Sequence, residues 1–308
     1  MADEYQAPAI MKLAGRQAWL YLLPAIIVLL IYVVYPSVRT AYLSLRTNDL
    51  TDFATAACQE GQPCWGIFEN YRQAFAGATV VFRNNALWIA LMVPFVTAAG
   101  LGIAVLVDRV SYESLAKAVI FLPMAISFVG ASVIWGLMYY WKSDPPQIGL
   151  LNAIVTSVGL EPVPWTTGNP ITATLAMIVV GIWMWTGFSM TILSAALKGV
   201  PEELIEAARV AGASELQIFS QVTVPIILPT IIVVLTTMTI NVLKIFDIVF
   251  VLGKGQPGTQ VIASRMYIEQ FNRNNTGLSS ALAIILILAV LPIGWVNVRR
   301  FREQEKIR

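Results

Sequence analysis

The segment Lys198–Gln221, KGVPEELIEAARVAGASELQIFSQ, is a short polar break between two long apolar runs. The runs, at about 171–197 and 222–246, hold one charged side chain between them, whereas the break carries several of both signs. The break is too short to form a domain, but its residues are compatible with helix. A chain that keeps a charged, helix-forming segment between apolar runs is expected to use it as a contact surface.

The composition of the whole chain is that of a membrane protein. Of its 308 residues, 57% are hydrophobic and 12% are charged, whereas a soluble domain has about 25% charged residues. The apolar residues occur in blocks, as in polytopic helical membrane proteins. A net charge of +2 gives no support to nucleic-acid binding, and the absence of histidine, with only two cysteines, argues against a metal site.

Six apolar segments are long enough to cross a bilayer, whose core of about 30 Å needs about 20 helical residues. Backbone groups in lipid must be satisfied within each segment, so the predicted fold class is all-α with six transmembrane helices. The first segment is too long for the apolar core of a signal peptide and is predicted to remain as a span. The predicted spans are about 19–43, 85–107, 117–140, 171–197, 222–246 and 278–298.

The predicted orientation follows from lysine and arginine, which are enriched in cytoplasmic loops. The basic segment at 299–308, RRFREQEKIR, is the clearest signal and places both termini in the cytoplasm. The chain then divides into an N-terminal tail at 1–18, a transmembrane domain at 19–298 and the basic tail. The loop at 198–221 is predicted to be cytoplasmic, and the loop at about 45–84 external.

Both cysteines lie in the external loop, within the segment CQEGQPC. Cys58 and Cys64 flank Gly61 and Pro63. This short spacing permits a disulfide where the loop faces an oxidising compartment. Two free thiols are the alternative.

The polar break itself has the signals of two helices joined by a turn. Pro201 suits the first turn of a helix, and the acidic residues that follow it favour a helix N-terminus. Gly212 is able to adopt the left-handed conformation that ends a helix. Ser214 is a candidate first cap of the next helix, which leads into the membrane. An ordinary amphipathic connector is the alternative interpretation of these residues.

The spacing within the break resembles the EAA motif of ABC importer permeases. In that motif EAA is followed by three residues, a glycine, nine residues, and then Ile, any residue, Leu and Pro. Glu206, Ala207 and Ala208 precede Gly212 at this spacing, and the VTVP at 222–225 has valine in place of Ile and Leu. Six spans and cytoplasmic termini also agree with this family.

The resemblance covers about residues 15–300 and implies the fold of a type I ABC importer permease in the inner (plasma) membrane. In that family the EAA loop is the coupling helix, which docks into a groove on a cytoplasmic ATPase subunit. The resemblance implies this role for Glu206, Ala207, Ala208 and Gly212. It also implies three kinds of partner: a second permease, a different chain; two ATPase subunits; and an external sugar-binding protein.

No nucleotide site is expected in this chain. It lacks the G-x-x-x-x-G-K-[ST] phosphate loop, and Gly253–Gly255 does not have the required spacing. The chain is therefore predicted to be a transport subunit and not an enzyme. ATP and magnesium are expected on the partner ATPase subunits.

Other segments are similar to carbohydrate permeases of the maltose and alpha-glucoside type. They include GIWMWTGFSM at 181–190 and TINVLKIFDIVFVLGKG at 239–255. The similarity implies import of an oligosaccharide or glucoside by alternating access. Maltose, trehalose, sucrose and glucosylglycerol-like solutes are the substrates that fit related transporters.

Charged residues near the outer end of the fifth span point independently to a polar path. Lys244 and Asp247 are spaced to pair on one helix face, and intramembrane charges usually face a partner or a water-filled cavity. Asn241 lies one turn earlier, and Phe246 and Phe250 flank Asp247. Sugar sites combine such polar groups with aromatic faces. The alternative is an ion pair that only ties helices together.

Trp183 and Trp185, in the fourth span, are further candidates for the substrate path. Aromatic side chains in a helical bundle more often pack in the core or anchor at the interface.

Two other function classes are compatible with parts of the pattern. One is an ABC importer permease for another polar solute, such as an amino acid, a polyamine or phosphate. The other is an ATP-independent carrier or a membrane enzyme, although the chain offers few catalytic groups.

Overall fold

Helices make up almost all of the computed structural model, which describes residues 15–47, 64–65, 68–144 and 146–305. A two-stranded antiparallel pair, β1 (Arg46–Thr47) and β2 (Cys64–Trp65), aligns Arg46 with Trp65. The helices are α1 Gly15–Leu29, α2 Tyr35–Ser44, α3 Glu69–Ala76, α4 Thr79–Val107, α5 Glu113–Phe121, α6 Phe128–Met138, α7 Leu150–Ser157, α8 Pro170–Lys198, α9 Glu202–Val210, α10 Glu215–Ile218, α11 Val224–Leu243, α12 Asp247–Gly253, α13 Ile262–Tyr267 and α14 Thr276–Glu305.

Short turns of other helix types connect several of these elements. Three are π-helical turns, at Leu30–Val34, Phe219–Thr223 and Ile268–Asn272. Two are 3₁₀ turns, at Leu122–Ala125 and Pro257–Thr259. The π-helical turns join α1 to α2 and α10 to α11 without a break, so each pair forms one long helix.

Five of these helices, counted over the described residues, are long and apolar enough to cross a membrane. They are Trp19–Ser44, Thr79–Val107, Pro170–Lys198, Glu215–Leu243 and Thr276–Asn297. Glu113–Ala125 and Phe128–Met138 meet at an angle of 96° and, taken together as one broken span, bring the number to six. The all-α fold with six apolar segments is confirmed.

Two of the predicted straight spans are wrong in detail because each contains a break. The third span bends at Ile126, which follows the 3₁₀ turn that contains Pro123, and Ser127 then caps the start of α6. The fifth span ends at Leu243, and its chain continues as α12 after Lys244–Phe246. Broken helices at membrane depth occur where the freed backbone is buried in protein or lines a cavity.

The core is built on α8, which packs along α4 more extensively than any other described pair of helices. Small residues allow this close approach: a side chain at Gly181 would meet Trp88 and Met92 of α4 at 2.9 Å. Gly187 likewise faces the backbone of Ile120 and Phe121. In membranes such small residues let helices pack closely enough for dispersion contacts.

The first span, α1 with α2, lies apart from this core. Its apolar window is 0% buried. The α2 half packs against α14, and Ser44 at its end is buried. The rest of the span presents apolar side chains outward.

Candidate functional site

The polar loop between α8 and α11 forms two short helices joined by a left-handed glycine. α9 starts after Pro201, and Gly212 has a φ of 85°. Glycine adopts this conformation without strain, so Gly212 sets the direction of the chain into α10. Ser214 caps α10, and its N–H donates to the Gln217 side chain at 2.8 Å. The predicted helix, glycine turn and second helix are confirmed.

The residues predicted to couple to an ATPase lie on this loop. Glu206, Ala207 and Gly212 are exposed, and Ala208 is half-buried. Three large apolar side chains of the same loop are also exposed: Val210 is 90% accessible, Leu216 76% and Leu204 48%. Exposed apolar groups on a charged segment are typical of a protein contact surface.

Arg209 and Glu215 hold the two short helices together. Arg209 Nε donates to Glu215 Oε1 at 2.8 Å, and Nη2 donates to Oε2 at 3.3 Å. Two parallel bonds of this kind fix the orientation of the partners as well as their distance. The hydrogen bonds to Glu215 raise the pKa of the Arg209 guanidinium, so this side of the pair stays charged.

A cluster of charged side chains ties α8 to α4 and α5 directly before this loop. Lys117 Nζ lies 2.6 Å from Asp108 Oδ1 and 2.5 Å from Glu113 Oε1. Lys198 Nζ contacts the same Glu113 oxygen at 2.5 Å. Ser194 completes the cluster by donating to Asp108 Oδ1 at 2.7 Å and accepting from Lys117. The cluster therefore joins α4, α5 and α8 directly before the loop.

At the other end of the fifth span, the two helix breaks meet at a cavity of about 130 Å³. The bend in the third span places Phe128 there, and its ring stacks on Trp185 of α8 with 5.9 Å between centroids. The break after α11 contributes polar and aromatic groups together. The residues lining the cavity are Phe128, Trp185, Asn241, Lys244, Ile245, Phe246, Asp247 and Ile248.

The break after α11 is held by a buried side chain of α4. Asn85 Nδ2 donates to the carbonyl of Leu243 at 3.5 Å, and Asn85 Oδ1 accepts from Ile262 N at 2.8 Å. The last carbonyls of a helix have no partner within it, so such a bond supplies one. Asn84, also buried, donates to the carbonyls of Gly258 and Gln260, each at 2.9 Å. Two neighbouring asparagines thus bind the chain on both sides of α12.

The structure brings most of the predicted path residues together and separates two others from the lining. Asn241, Lys244, Phe246, Asp247 and Trp185 all line the cavity. Phe250 lies behind the lining and stacks on Phe246 at 5.0 Å.

Trp183 points elsewhere, since its ring meets the edge of Trp135 at 5.7 Å. Residues two apart on a helix face different sides, which separates Trp183 from Trp185.

The predicted pairing of Lys244 with Asp247 on one helix face is wrong. Lys244 follows the last residue of α11, and Asp247 is the first residue of α12. Among the ion pairs of the described residues, none joins these two side chains. The helix break redirects both groups towards the cavity, so neither neutralises the other at contact distance.

Sequence reasoning missed several residues that build these sites. The ion pair of Glu113 with Lys117 was predictable from the sequence, because acidic and basic residues four apart on a helix pair readily. Pro123 and Ser127 in LPMAIS also signalled a helix end and a new helix start. Asn85 gave no signal, because its partners are distant in sequence.

The Cys58–Cys64 pair stays a prediction. Cys58 lies outside the described residues. Cys64 belongs to β2.

The fold and the exposed loop define a polytopic helical membrane protein of the permease class. A family model for the "Binding-protein-dependent transport system inner membrane component" matches residues 87–299. The chain belongs to this family, whose members are multi-pass inner membrane permease subunits, with ATP hydrolysis on a separate subunit.

Several relatives match more than nine-tenths of the chain. It is 49% identical to the osmoprotective compounds uptake permease protein GgtC of Synechocystis, over 94% of this chain and 100% of the relative. It is 44% identical to the alpha-glucoside transport system permease protein AglF of Rhizobium meliloti, over 91% and 81%.

The fold is also that of a solved transporter. In the crystal structure of a bacterial alginate ABC transporter in complex with an alginate pentasaccharide-bound periplasmic protein, one chain matches with a TM-score of 0.73. The match covers 92% of this chain and 93% of that one, at 22% identity.

Proposed function

We propose that this chain is a permease subunit of an ATP-driven importer of glucosides or related small oligosaccharides. The observation that carries the proposal is the cavity at the two helix breaks, where aromatic and polar side chains converge. The names of the two relatives agree with it, since one takes up osmoprotective compounds and the other alpha-glucosides.

The lining suits a ligand that has both flat apolar faces and many hydroxyl groups. Trp185, Phe128 and Phe246 supply aromatic surface, while Asn241, Lys244 and Asp247 supply hydrogen-bonding groups. Ligand sites generally combine apolar walls with a few placed polar groups. The names of the two relatives, rather than the charges of the lining, favour a sugar over an amino acid or a polyamine.

A second permease is expected to complete the path. A cavity of about 130 Å³ is smaller than the roughly 300–1,000 Å³ of ordinary ligand sites. The first span, 0% buried within this chain, offers a long apolar face for such a partner. The expected partner is a different chain of the same class.

Two ATPase subunits are expected in the transporter, and one of them is expected to bind the loop that contains Glu206, Ala207, Ala208 and Gly212. Closing of the ATPase dimer would push this loop and, through Lys198, the ion cluster at the ends of α4, α5 and α8. This arrangement requires both termini and the loop to be cytoplasmic. The loop at about 45–84 then faces the external binding protein, in a compartment where a Cys58–Cys64 disulfide is able to form.

The substrate is tested by ATPase stimulation of the reconstituted transporter with its binding protein. Sucrose, trehalose, maltose and glucosylglycerol are compared in wild type and in Lys244→Ala. We expect one of these glucosides to stimulate wild type and Lys244→Ala to lose most of that stimulation. Lys142→Ala, which removes a lysine outside the cavity, is the matched control and should behave as wild type.

Three results of this experiment would contradict different parts of the proposal. Stimulation by an amino acid or polyamine, with none by any glucoside, would replace the proposed substrate class. Uptake that continues when the ATPase is inactive would indicate an ATP-independent carrier. Full stimulation in Lys244→Ala would remove Lys244 from the path and leave the substrate class intact.

The coupling role is tested by cysteine crosslinking from Ala208 in an otherwise cysteine-free chain. We expect Ala208→Cys to crosslink to the ATPase subunit in the intact complex and the matched Ala153→Cys, on α7, not to. An intact, ATP-hydrolysing complex without any crosslink from Ala208→Cys would contradict the coupling assignment.

A further inference from the structure

Four aromatic side chains form a continuous row that starts at the cavity. Phe246 stacks on Phe250 with 5.0 Å between centroids, and Phe250 meets Tyr267 edge-on at 4.9 Å. Tyr267 in turn contacts Phe271 at 4.7 Å. We call Phe246, Phe250, Tyr267 and Phe271 the aromatic row. The row links α12 to the π-helical turn after α13.

The two ends of the row lie in different surroundings. Phe246 lines the cavity, whereas Phe271 is 65% exposed. Phe250 and Tyr267, between them, are half-buried. A cluster that only stabilised the fold would gain most by burying all its rings, because aromatic side chains contribute through buried area. The row instead leads from the cavity to the surface, at the end of the fifth span opposite the coupling loop.

The segment that carries the outer half of the row is held firmly. Glu269, in the π-helical turn, is 2% exposed, and its carboxylate accepts from Arg273 Nη1 at 2.8 Å. Arg265 lies 3.7 Å from the same carboxylate and donates to the carbonyl of Gly77 at 2.6 Å. A buried carboxylate with two arginines fixes this turn against α3 and α4. The rings are therefore displayed on a rigid support.

We infer that the aromatic row is an entry track, along which a glucoside released outside the membrane passes to the cavity. This inference rests on the proposed glucoside transport. The C–H faces of a pyranose ring pack on aromatic faces, while its hydroxyls at the ring edge stay hydrated. Such contacts are non-directional, so a sugar is able to step between neighbouring rings without breaking a set of fixed hydrogen bonds.

The test uses Phe271, the most exposed ring of the row. In proteoliposomes with the complete transporter, the binding protein is saturated in turn with sucrose, trehalose, maltose or glucosylglycerol, and glucoside uptake per ATP hydrolysed is measured. Phe271→Leu keeps the apolar bulk and removes the flat ring, whereas Phe271→Tyr keeps the ring. We expect Phe271→Leu to lower uptake per ATP roughly two- to tenfold, which corresponds to the typical contribution of one aromatic contact. We expect Phe271→Tyr to keep the wild-type uptake per ATP.

Three further variants separate the effect of the row from unrelated effects. Phe95→Leu removes another exposed aromatic ring, 58% accessible on α4 and outside the row, and should leave uptake per ATP unchanged. Tyr267→Leu and Tyr267→Phe repeat the comparison one ring further in. Basal ATP hydrolysis and assembly of the complex should be equal in all variants.

Several results would overturn the inference. If wild type transports a glucoside and Phe271→Leu and Tyr267→Leu match it, the row is not a track, while the proposed function stands. Equal losses in the Leu and Tyr variants at Phe271 would indicate a packing role. A raised requirement for binding protein, with unchanged uptake per ATP, would indicate a docking surface instead. Absence of transport of sucrose, trehalose, maltose and glucosylglycerol in wild type would overturn the proposed function and the track together.

Discussion

The first span and α8 are both long apolar helices, but they have opposite surroundings. Trp19–Ser44 has a mean hydropathy of 2.2 and is 0% buried over its apolar window, whereas α8 has 1.7 and is 56% buried. The more hydrophobic helix is the one that the rest of the chain leaves uncovered. Hydropathy predicts entry into the bilayer, but not burial in protein, because lipid tails are as apolar as leucine side chains.

Residue size explains the difference better than hydropathy. α8 carries Gly181, Gly187 and Ser189 on faces that touch other helices. The first span is dominated by bulky side chains, as in IIVLLIYVVY at 26–35. Small residues permit backbone approach and many dispersion contacts, so α8 becomes the centre of this chain. The uncovered first span is the surface that we assign to the second permease.

The largest expected effect comes from filling the closest contact of α8. A Cβ at Gly187 would lie 2.6 Å from the carbonyl oxygen of Ile120 and 2.7 Å from Phe121 Cα, both backbone atoms. We expect Gly187→Leu to destabilise the chain by about 3 kcal/mol or more, measured as thermal unfolding in detergent. Gly102→Leu is the control, since nothing lies within 4 Å of its Cβ. Equal unfolding temperatures for the two variants would mean that α8 is not held by close packing.

A matched pair of leucines compares the two helices directly. Leu193 of α8 is 0% exposed and Leu30 of the first span is 51% exposed. We expect Leu193→Ala to cost about 2 kcal/mol, because a cavity remains, and Leu30→Ala to cost under about 0.5 kcal/mol in the isolated chain. The unfolding temperature of each variant is measured in the chain alone and in the assembled transporter, which separates packing within the chain from contact with the second permease. A large loss from Leu30→Ala without the second permease would contradict the comparison.

The ion cluster at the end of α8 gives a smaller effect. Lys117 bridges Asp108 and Glu113 and is 21% exposed, whereas Lys198 is 55% exposed. We expect Lys117→Met to cost about 1–2 kcal/mol, because two partly buried carboxylates lose their shared cation, and Lys198→Met to cost under about 0.5 kcal/mol. The free energy of unfolding of both variants is measured at low and at high salt. Lys198→Met should still weaken the coupling of ATP hydrolysis to uptake. Equal losses of stability in Lys117→Met and Lys198→Met would show that burial does not determine the strength of this cluster.

The smallest expected effect is at Ser189, within the α4–α8 contact. Its hydroxyl is buried and has no hydrogen-bond partner among the described residues. Ser189→Ala should therefore change stability by less than about 0.5 kcal/mol, since no hydrogen bond is lost. Thr186→Val, which removes a bond to the Ile182 carbonyl at 2.7 Å, is the comparison and should cost more. A clear loss of transport in Ser189→Ala at unchanged stability would reveal a partner that forms during the transport cycle.

Residues close in sequence were sufficient to predict the fold of the polar loop between α8 and α11 and the existence of the apolar spans. The left-handed turn needs a glycine, and Gly212 follows a helix of suitable length, so the turn was predictable from residues close in sequence. The polar cavity residues were also identified, because an asparagine, a lysine and an aspartate near one end of an apolar span are costly without a polar surrounding. Their arrangement was predicted wrongly because a straight helix was assumed.

The sequence by itself determined six membrane-spanning segments and a helical polar loop, since both follow from hydropathy and capping over a few helical turns. Only the tertiary structure decided where the fifth span breaks, which aromatic rings form a row and which apolar helix is buried. Asn85 satisfies the carbonyl of Leu243, and Gly187 admits the backbone of Ile120. These contacts join residues far apart in the chain, and hydropathy is the same whether a helix faces lipid or protein.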